Sequence, residues 1–174
     1  MQMDQHDPSD IVTCLERSVQ QRSEHCAITF GAQRLSFAEL GAAVSSCIDS
    51  LRASIPHCRM VGLHFGRAPE YVIAYLALAA LGVLIVPFDD DGADSEIAAE
   101  ARILGIDAIV TNRDIDVASR MPVLRVRATN PDGGPIPWVT SASFAGRMRT
   151  TVLSADDPLV LLKTSGSTSR PKRA

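Results

Sequence analysis

Leu81-Gly82-Val83-Leu84-Ile85-Val86-Pro87-Phe88-Asp89 is the stretch on which the fold turns. Residues 71–88 contain no charged side chain, a run just long enough to raise a membrane-spanning helix. Gly82 divides that run, and β-branched Val83, Ile85 and Val86 ending at Pro87 suit a strand rather than the second half of a helix. A buried, alanine-rich helix over residues 69–81 followed by a buried strand over 83–88 is therefore expected, and the protein is read as soluble. Moving outward, residues 60–65 form another apolar strand, 94–104 a helix, 108–111 a strand and 123–126 a further strand. Apolar strands alternating with helices predict a mostly parallel α/β sheet with helices on both faces. Right-handed crossovers bring the loops after Phe65, Phe88 and Thr111 to one sheet edge, where such folds bind ligands.

Upstream, Ser9 or Asp10 is placed to cap a first helix carrying Ile11, Val12, Leu15 and Val19 at helical spacing. A small hairpin follows, with strands over residues 26–30 and 33–36 joined at Gly31-Ala32. Ser36 then opens a second helix. Glu39, three residues on, completes the capping-box pattern, and Leu40, Val44, Ile48 and Leu51 continue the buried face. Downstream, residues 128–137 hold Pro131, Gly133, Gly134, Pro135 and Pro137 and read as a loop and a candidate boundary. Trp138 reads as a packing anchor there, and residues 158–163 read as a final apolar strand. There is no internal repeat.

Composition narrows the function classes. Hydrophobic residues at 46% and charged residues at 21% are those of an ordinary globular chain, and a net charge of −3 argues against general affinity for nucleic acid or anionic membrane. The polar, acidic start is not a secretory signal. Cys14, Cys26, Cys47 and Cys58 show no CxxC spacing, and the histidines that adjoin Cys26 and Cys58 belong to no spaced ligand pattern, so metal ligation is not expected. Cys14 and Cys47 fall among apolar residues on expected helices and read as small hydrophobes, suited to a reducing cytoplasm. His64 ends a strand near the ligand edge and reads as a packing residue. Asp89, Asp90 and Asp91 read as a solvated turn.

The chemistry concentrates in Thr164-Ser165-Gly166-Ser167-Thr168-Ser169-Arg170-Pro171-Lys172-Arg173-Ala174. A hydrophobic strand leads into small hydroxyl residues around a glycine. Backbone N–H groups and hydroxyls of such a loop can surround an anion, and a lysine a few residues on adds a full positive charge. The order is not that of a Walker A loop. Composition alone allows a plain solvated tail. The Arg170-Pro171-Lys172-Arg173 run, with no aromatic residue, makes a poor nucleic-acid site.

The residue order resembles the signature loop of the adenylate-forming superfamily, the AMP-dependent synthetases and ligases. That superfamily includes acyl-CoA synthetases, luciferases and the adenylation domains of nonribosomal peptide synthetases. Leu35-Ser36-Phe37-Ala38-Glu39-Leu40, residues 61–89 and Asp156-Asp157-Pro158 resemble earlier blocks of the same family, in the same order. The resemblance implies the N-terminal portion of the family's large domain across residues 1–174, with the phosphate-binding loop at 164–174. It implies that Thr164, Ser165, Gly166, Ser167, Thr168 and Lys172 hold the pyrophosphate portion of ATP, with Mg²⁺ neutralising phosphate charge. A carboxylic or amino acid substrate would then attack the α-phosphate to give an acyl-adenylate.

Ser169 and Arg173 stand where the family usually has glycine, and Lys163 replaces a commonly aromatic position. A side chain at a positive-φ glycine position costs on the order of 1 kcal/mol, so weakened phosphate binding is expected. The family's later elements would supply the adenine pocket, most of the acyl pocket and a catalytic lysine. Two readings follow: a truncated or split N-terminal part of an acid-activating ligase, inactive alone and completed by a complementary chain, or a non-catalytic remnant or partner-docking subunit. Fatty, aryl and amino acids all remain open as substrates.

Overall fold

The computed structural model describes residues 11–116, 122–125, 157–164 and 172–173. Helix α1 spans Ile11–Arg22, strands β1 and β2 span Cys26–Phe30 and Gln33–Ser36, and helix α2 spans Phe37–Ser54. The alternating part follows, with β3 (Met60–His64), α3 (Pro69–Ala80), β4 (Leu84–Pro87), α4 (Asp94–Leu104), β5 (Ala108–Thr111) and β6 (Val123–Arg125). Short strands β7 (Lys163–Thr164) and β8 (Lys172–Arg173) close the described chain.

Strands β3 to β6 form a four-stranded parallel sheet in the order β4-β3-β5-β6. This is the α/β architecture expected from the alternation, and the β1–β2 hairpin is antiparallel beside it. Gly31 turns the hairpin with φ at 58°, a conformation that carries no penalty only without a Cβ. Gly82, with φ at 67°, ends the apolar helix in the same way and lets the chain re-enter as β4. That single residue is why the uncharged run is a helix and a strand. No described helix is long and apolar enough to cross a membrane.

Alternation along the strands sends side chains to two cores. Val61, Leu63 and Phe65 join Ile85, Ala108, Val110 and Leu124 against α2 and α3. Val86, Phe88 and Ile109 meet Ile97 and Ala101 of α4 on the opposite face. α3 is buried at Ile73, Ala74, Leu76, Ala77, Leu78 and Ala79, with Val72 left exposed, so its apolar residues cover more than one stripe as the sequence suggested.

The capping box at α2 is complete: Glu39 N donates to Ser36 Oγ at 3.2 Å, and Ser36 N donates to Glu39 Oε2 at 2.8 Å. At the other end of the sheet, Asp107 Oδ2 accepts from Arg59 N at 2.7 Å and Met60 N at 3.0 Å, fixing where β3 begins.

Two expectations differ in detail, those for Cys14 and for residues 158–163. α1 buries no residue fully; Val12 and Leu15 only pack against the core from its rim. Cys14 is exposed on that helix and is not a buried hydrophobe, whereas Cys47 is buried as expected. Residues 158–163 do not form one continuous strand. Val160 makes a single parallel bridge to Ile85, with Ile85 N donating to Leu159 O and Leu161 N to Ile85 O, both at 2.9 Å. This segment covers the free edge of β4. Ser9, Asp10, the loop at 128–137 and Trp138 lie outside the described residues.

Candidate functional site

The chain leaves β3 toward β4 and leaves β5 toward β6, so connections run in opposite directions from two adjacent strands. The carboxyl ends of β3 and β5 therefore form the switch point of the sheet, where open α/β sheets have their natural crevice. His64 and Thr111 lie there as register partners, 1% and 0% exposed.

Beside them, an open cleft of about 400 Å³ is lined by Phe65, Gly66, Arg67, Ala68, Tyr71, Phe88, Asp89 and Asp90. Its apolar wall is ordered by ring contacts. Phe65 meets Tyr71 edge-on at 6.1 Å between centroids, and Tyr71 stacks on Tyr75 at 6.3 Å. Burial, with neighbouring Tyr75 adding to it, raises the Tyr71 phenol above its ordinary value, so it is neutral at physiological pH. The polar lining is mixed in sign: Arg67, Asp89 and Asp90 are all exposed, and Asp91, next in sequence, is exposed as well. Those three aspartates are a solvated turn. Among the described residues no group of three or more His, Cys, Asp or Glu side chains could hold a metal ion.

Two loops meet across the end of β3. The Arg113 guanidinium donates from Nη1 to the Asp90 carbonyl, and Asp116 N donates to Asp94 Oδ2 at 2.7 Å. Arg113 N also donates to Thr111 Oγ1 at 3.0 Å. His64, the last residue of the intervening strand, is buried, with neither Nδ1 nor Nε2 hydrogen-bonded. Burial first, and then the Arg113 charge, lower its pKa from the ordinary 6.5, against the opposing pull of Asp94 and Asp90. Sequence reasoning placed His64 at this edge but did not reach Arg113, Asp94 or Asp116. Their signal was weak: polar residues just past the ends of strands, in loops whose meeting depends on strand order.

Of the candidate phosphate-loop residues, Thr164 and Lys172 fall on described backbone. β7 and β8 pair antiparallel with Thr164 opposite Lys172 and Lys163 opposite Arg173. Ser165, Gly166, Ser167 and Thr168 lie outside the described residues.

Comparison with known proteins decides the family. The model of a family described as AMP-binding enzyme matches residues 15–174. The chain belongs to the AMP-binding enzyme family. Curated relatives include the acetyl-coenzyme A synthetases of Shewanella putrefaciens (strain CN-32 / ATCC BAA-453), 28% identical, and Aeromonas salmonicida (strain A449), 27% identical, each aligned over 91% of this chain. The chain spans about 30% of the length of these relatives.

Among solved structures, the AMP-binding fold is shared with the Klebsiella oxytoca NpsA N-terminal subdomain in complex with 3-hydroxybenzoyl-AMSN. That match has a TM-score of 0.73 at 24% identity, over 94% of this chain and 39% of that one. It is shared also with the Bacillus subtilis O-succinylbenzoate coenzyme A synthetase (MenE) in complex with AMP. Here the TM-score is 0.69 at 21% identity, over 91% of this chain and 40% of that one. The AMP-dependent ligase family implied by the sequence blocks is thus the family found.

Proposed function

We propose that this AMP-binding chain is the N-terminal part of an ATP-dependent, AMP-forming, acid-activating ligase, and that its contribution is the pyrophosphate-binding loop. The observation that carries this reading is the β7–β8 ladder, in which Thr164 stands opposite Lys172. Thr164 and Lys172, the described residues on either side of the Ser/Thr/Gly segment, are thus brought side by side. Backbone N–H groups converging in a turn favour an anion, and charge-assisted hydrogen bonds to phosphate are the stronger kind.

In the reaction, a carboxylate oxygen attacks the α-phosphorus of ATP. The bond from that phosphorus to the bridging oxygen breaks, pyrophosphate leaves with the electron pair, and an acyl-adenylate forms. Thr164, Ser165, Gly166, Ser167 and Thr168 would donate to the leaving pyrophosphate, and the Lys172 ammonium would offset its charge. Phosphate charge would also be offset by Mg²⁺ carried with the nucleotide. Such catalysis is mostly positioning and charge stabilisation, which requires both reactants in line. The acid pocket and the adenine pocket belong to the larger part of the family's length, on a complementary chain or a continuation. Four cysteines without a disulfide suit a reducing cytoplasm. The substrate is a carboxylic or amino acid.

The test is acid-dependent exchange of labelled pyrophosphate into ATP, with this chain alone and with a polypeptide supplying the remaining family sequence. The chain alone should show no exchange. The reconstituted pair should exchange, and Lys172→Ala should reduce it by about tenfold or more, the loss of one charge-assisted contact to phosphate. A pair that assembles tightly yet neither exchanges nor responds to ATP would identify a non-catalytic docking subunit instead.

A further inference from the structure

The Arg113–Asp90 and Asp116–Asp94 bonds tie the loop after β5 to the loop after β4 and the start of α4. β3 lies between β4 and β5, so both ties pass over its carboxyl end, where His64 is the last residue. A buried imidazole with both nitrogens unpartnered is unusual, because buried polar atoms are nearly always hydrogen-bonded and an orphaned one is costly. The surroundings explain why neutrality is tolerated and charge is not. The flanking groups on its sheet face are apolar Phe88 and Ile109, together with Thr111, whose hydroxyl accepts from Arg113 N. The charged groups around it are Arg113 from the loop after β5, Asp90 from the loop after β4, and Asp94 from α4.

We propose that His64 is the proton-sensitive pin of a two-loop latch that closes the switch-point crevice. Neutral, it stays buried. Protonated, it repels the Arg113 guanidinium and needs an acceptor for each N–H. The anionic side chains whose charge acts on it are Asp94 and Asp90. Asp94 can accept from the imidazolium only by giving up some of its hold on the Asp116 amide. The loops after β4 and β5 then separate, and because residues 88–90 also form one wall of the neighbouring cleft, the cleft changes shape with them. Proton uptake thus couples to access at the carboxyl edge of the sheet. Neither the nucleotide reading of residues 164–172 nor its failure bears on this device, which uses none of those residues.

The test reads the imidazole and the latch separately in the full chain. NMR of ¹³C-labelled histidine gives the titration of His64. Amide hydrogen exchange, corrected for the intrinsic pH dependence, gives the protection of Asp116 N and Arg113 N from pH 7.5 to pH 5. Protection at both amides should fall by about tenfold over the interval in which His64 takes up its proton, as expected when one proton is linked to opening across about one pH unit. In His64→Gln, which keeps a neutral polar side chain, protection should not depend on pH. In Arg113→Gln the repelling cation is gone, so the His64 midpoint and the Asp116 midpoint should rise together. A fall in protection that persists in His64→Gln overturns the proposal. So does a His64 that titrates without change at Asp116, or one that takes up no proton by pH 5. If His64→Gln does not fold, the two midpoints in Arg113→Gln decide alone: if they fail to move together, the latch is not operated by His64.

Discussion

Gly62→Ala is the substitution whose cost follows most directly from the geometry. Gly62 lies in the middle of β3, the strand flanked on both sides in the parallel sheet. A Cβ built there would come within 2.3 Å of Phe88 Cε2 and 3.1 Å of Phe88 Cδ2, with Ile109 Cγ1 at 3.4 Å. The Phe88 ring therefore lies across the strand where a side chain would stand. It cannot swing freely, being 6% exposed and packed with Val86, Ile97 and Ile109. Forcing one extra carbon into such a core costs about 1–3 kcal/mol. Replacing glycine by alanine returns about 0.4–1 kcal/mol by restricting the unfolded chain. The net expectation is a loss of about 1–2 kcal/mol.

Urea unfolding followed by far-UV circular dichroism measures that loss. Phe88→Leu in the Gly62→Ala background should recover part of it, giving a coupling energy between the two positions. A Gly62→Ala chain within about 0.5 kcal/mol of the parent, the usual scatter of uninvolved sites, would refute the reasoning. So would strict additivity with Phe88→Leu.

Ser36→Ala should destabilise by about 1 kcal/mol, because Glu39 N loses its acceptor and the capping box opens; the thermal midpoint reports it. A thiol reagent should modify exposed Cys14 and Cys26 first, Cys26 the faster of the two, since its hydrogen bond with Thr29 and the nearby Arg34 lower its pKa. Cys58 and Cys47, which burial pushes up to about 11 and about 12, should react later, Cys47 only with unfolding, as peptide mapping after timed labelling would reveal. Stability should also depend on pH through His64. Above its ordinary value of 6.5 the group is neutral both folded and unfolded and the native state is unpenalised; as pH falls below 6.5 toward its lowered native pKa, only the unfolded chain takes up the proton and stability declines. Urea midpoints from pH 7.5 to pH 5.5 should fall more for the parent chain than for His64→Gln.

Much of the architecture could be read from the residues because it rests on local rules. The uncharged run over 71–88 splits at Gly82 since the chain needs a left-handed residue there, and the bounds of α4 and β5 match their sequence patterns residue for residue. The capping box at Ser36 and Glu39 is local as well, an interaction between residues three apart. The family, too, was written in ordered short blocks. What sequence could not show were contacts made by strand order. α1 looked amphipathic, yet whether Cys14 would be covered depended on what lay above it, and nothing described there buries it. His64 could be placed at a strand end, but its enclosure depends on β4 and β5 flanking β3, which brings residues 23 apart in sequence, Asp90 and Arg113, into contact. Periodicity and capping act over a few bonds and are legible in one dimension. Strand order is settled by how two apolar helix layers cover two faces of one sheet, and only that packing determines which polar residues meet at its edge.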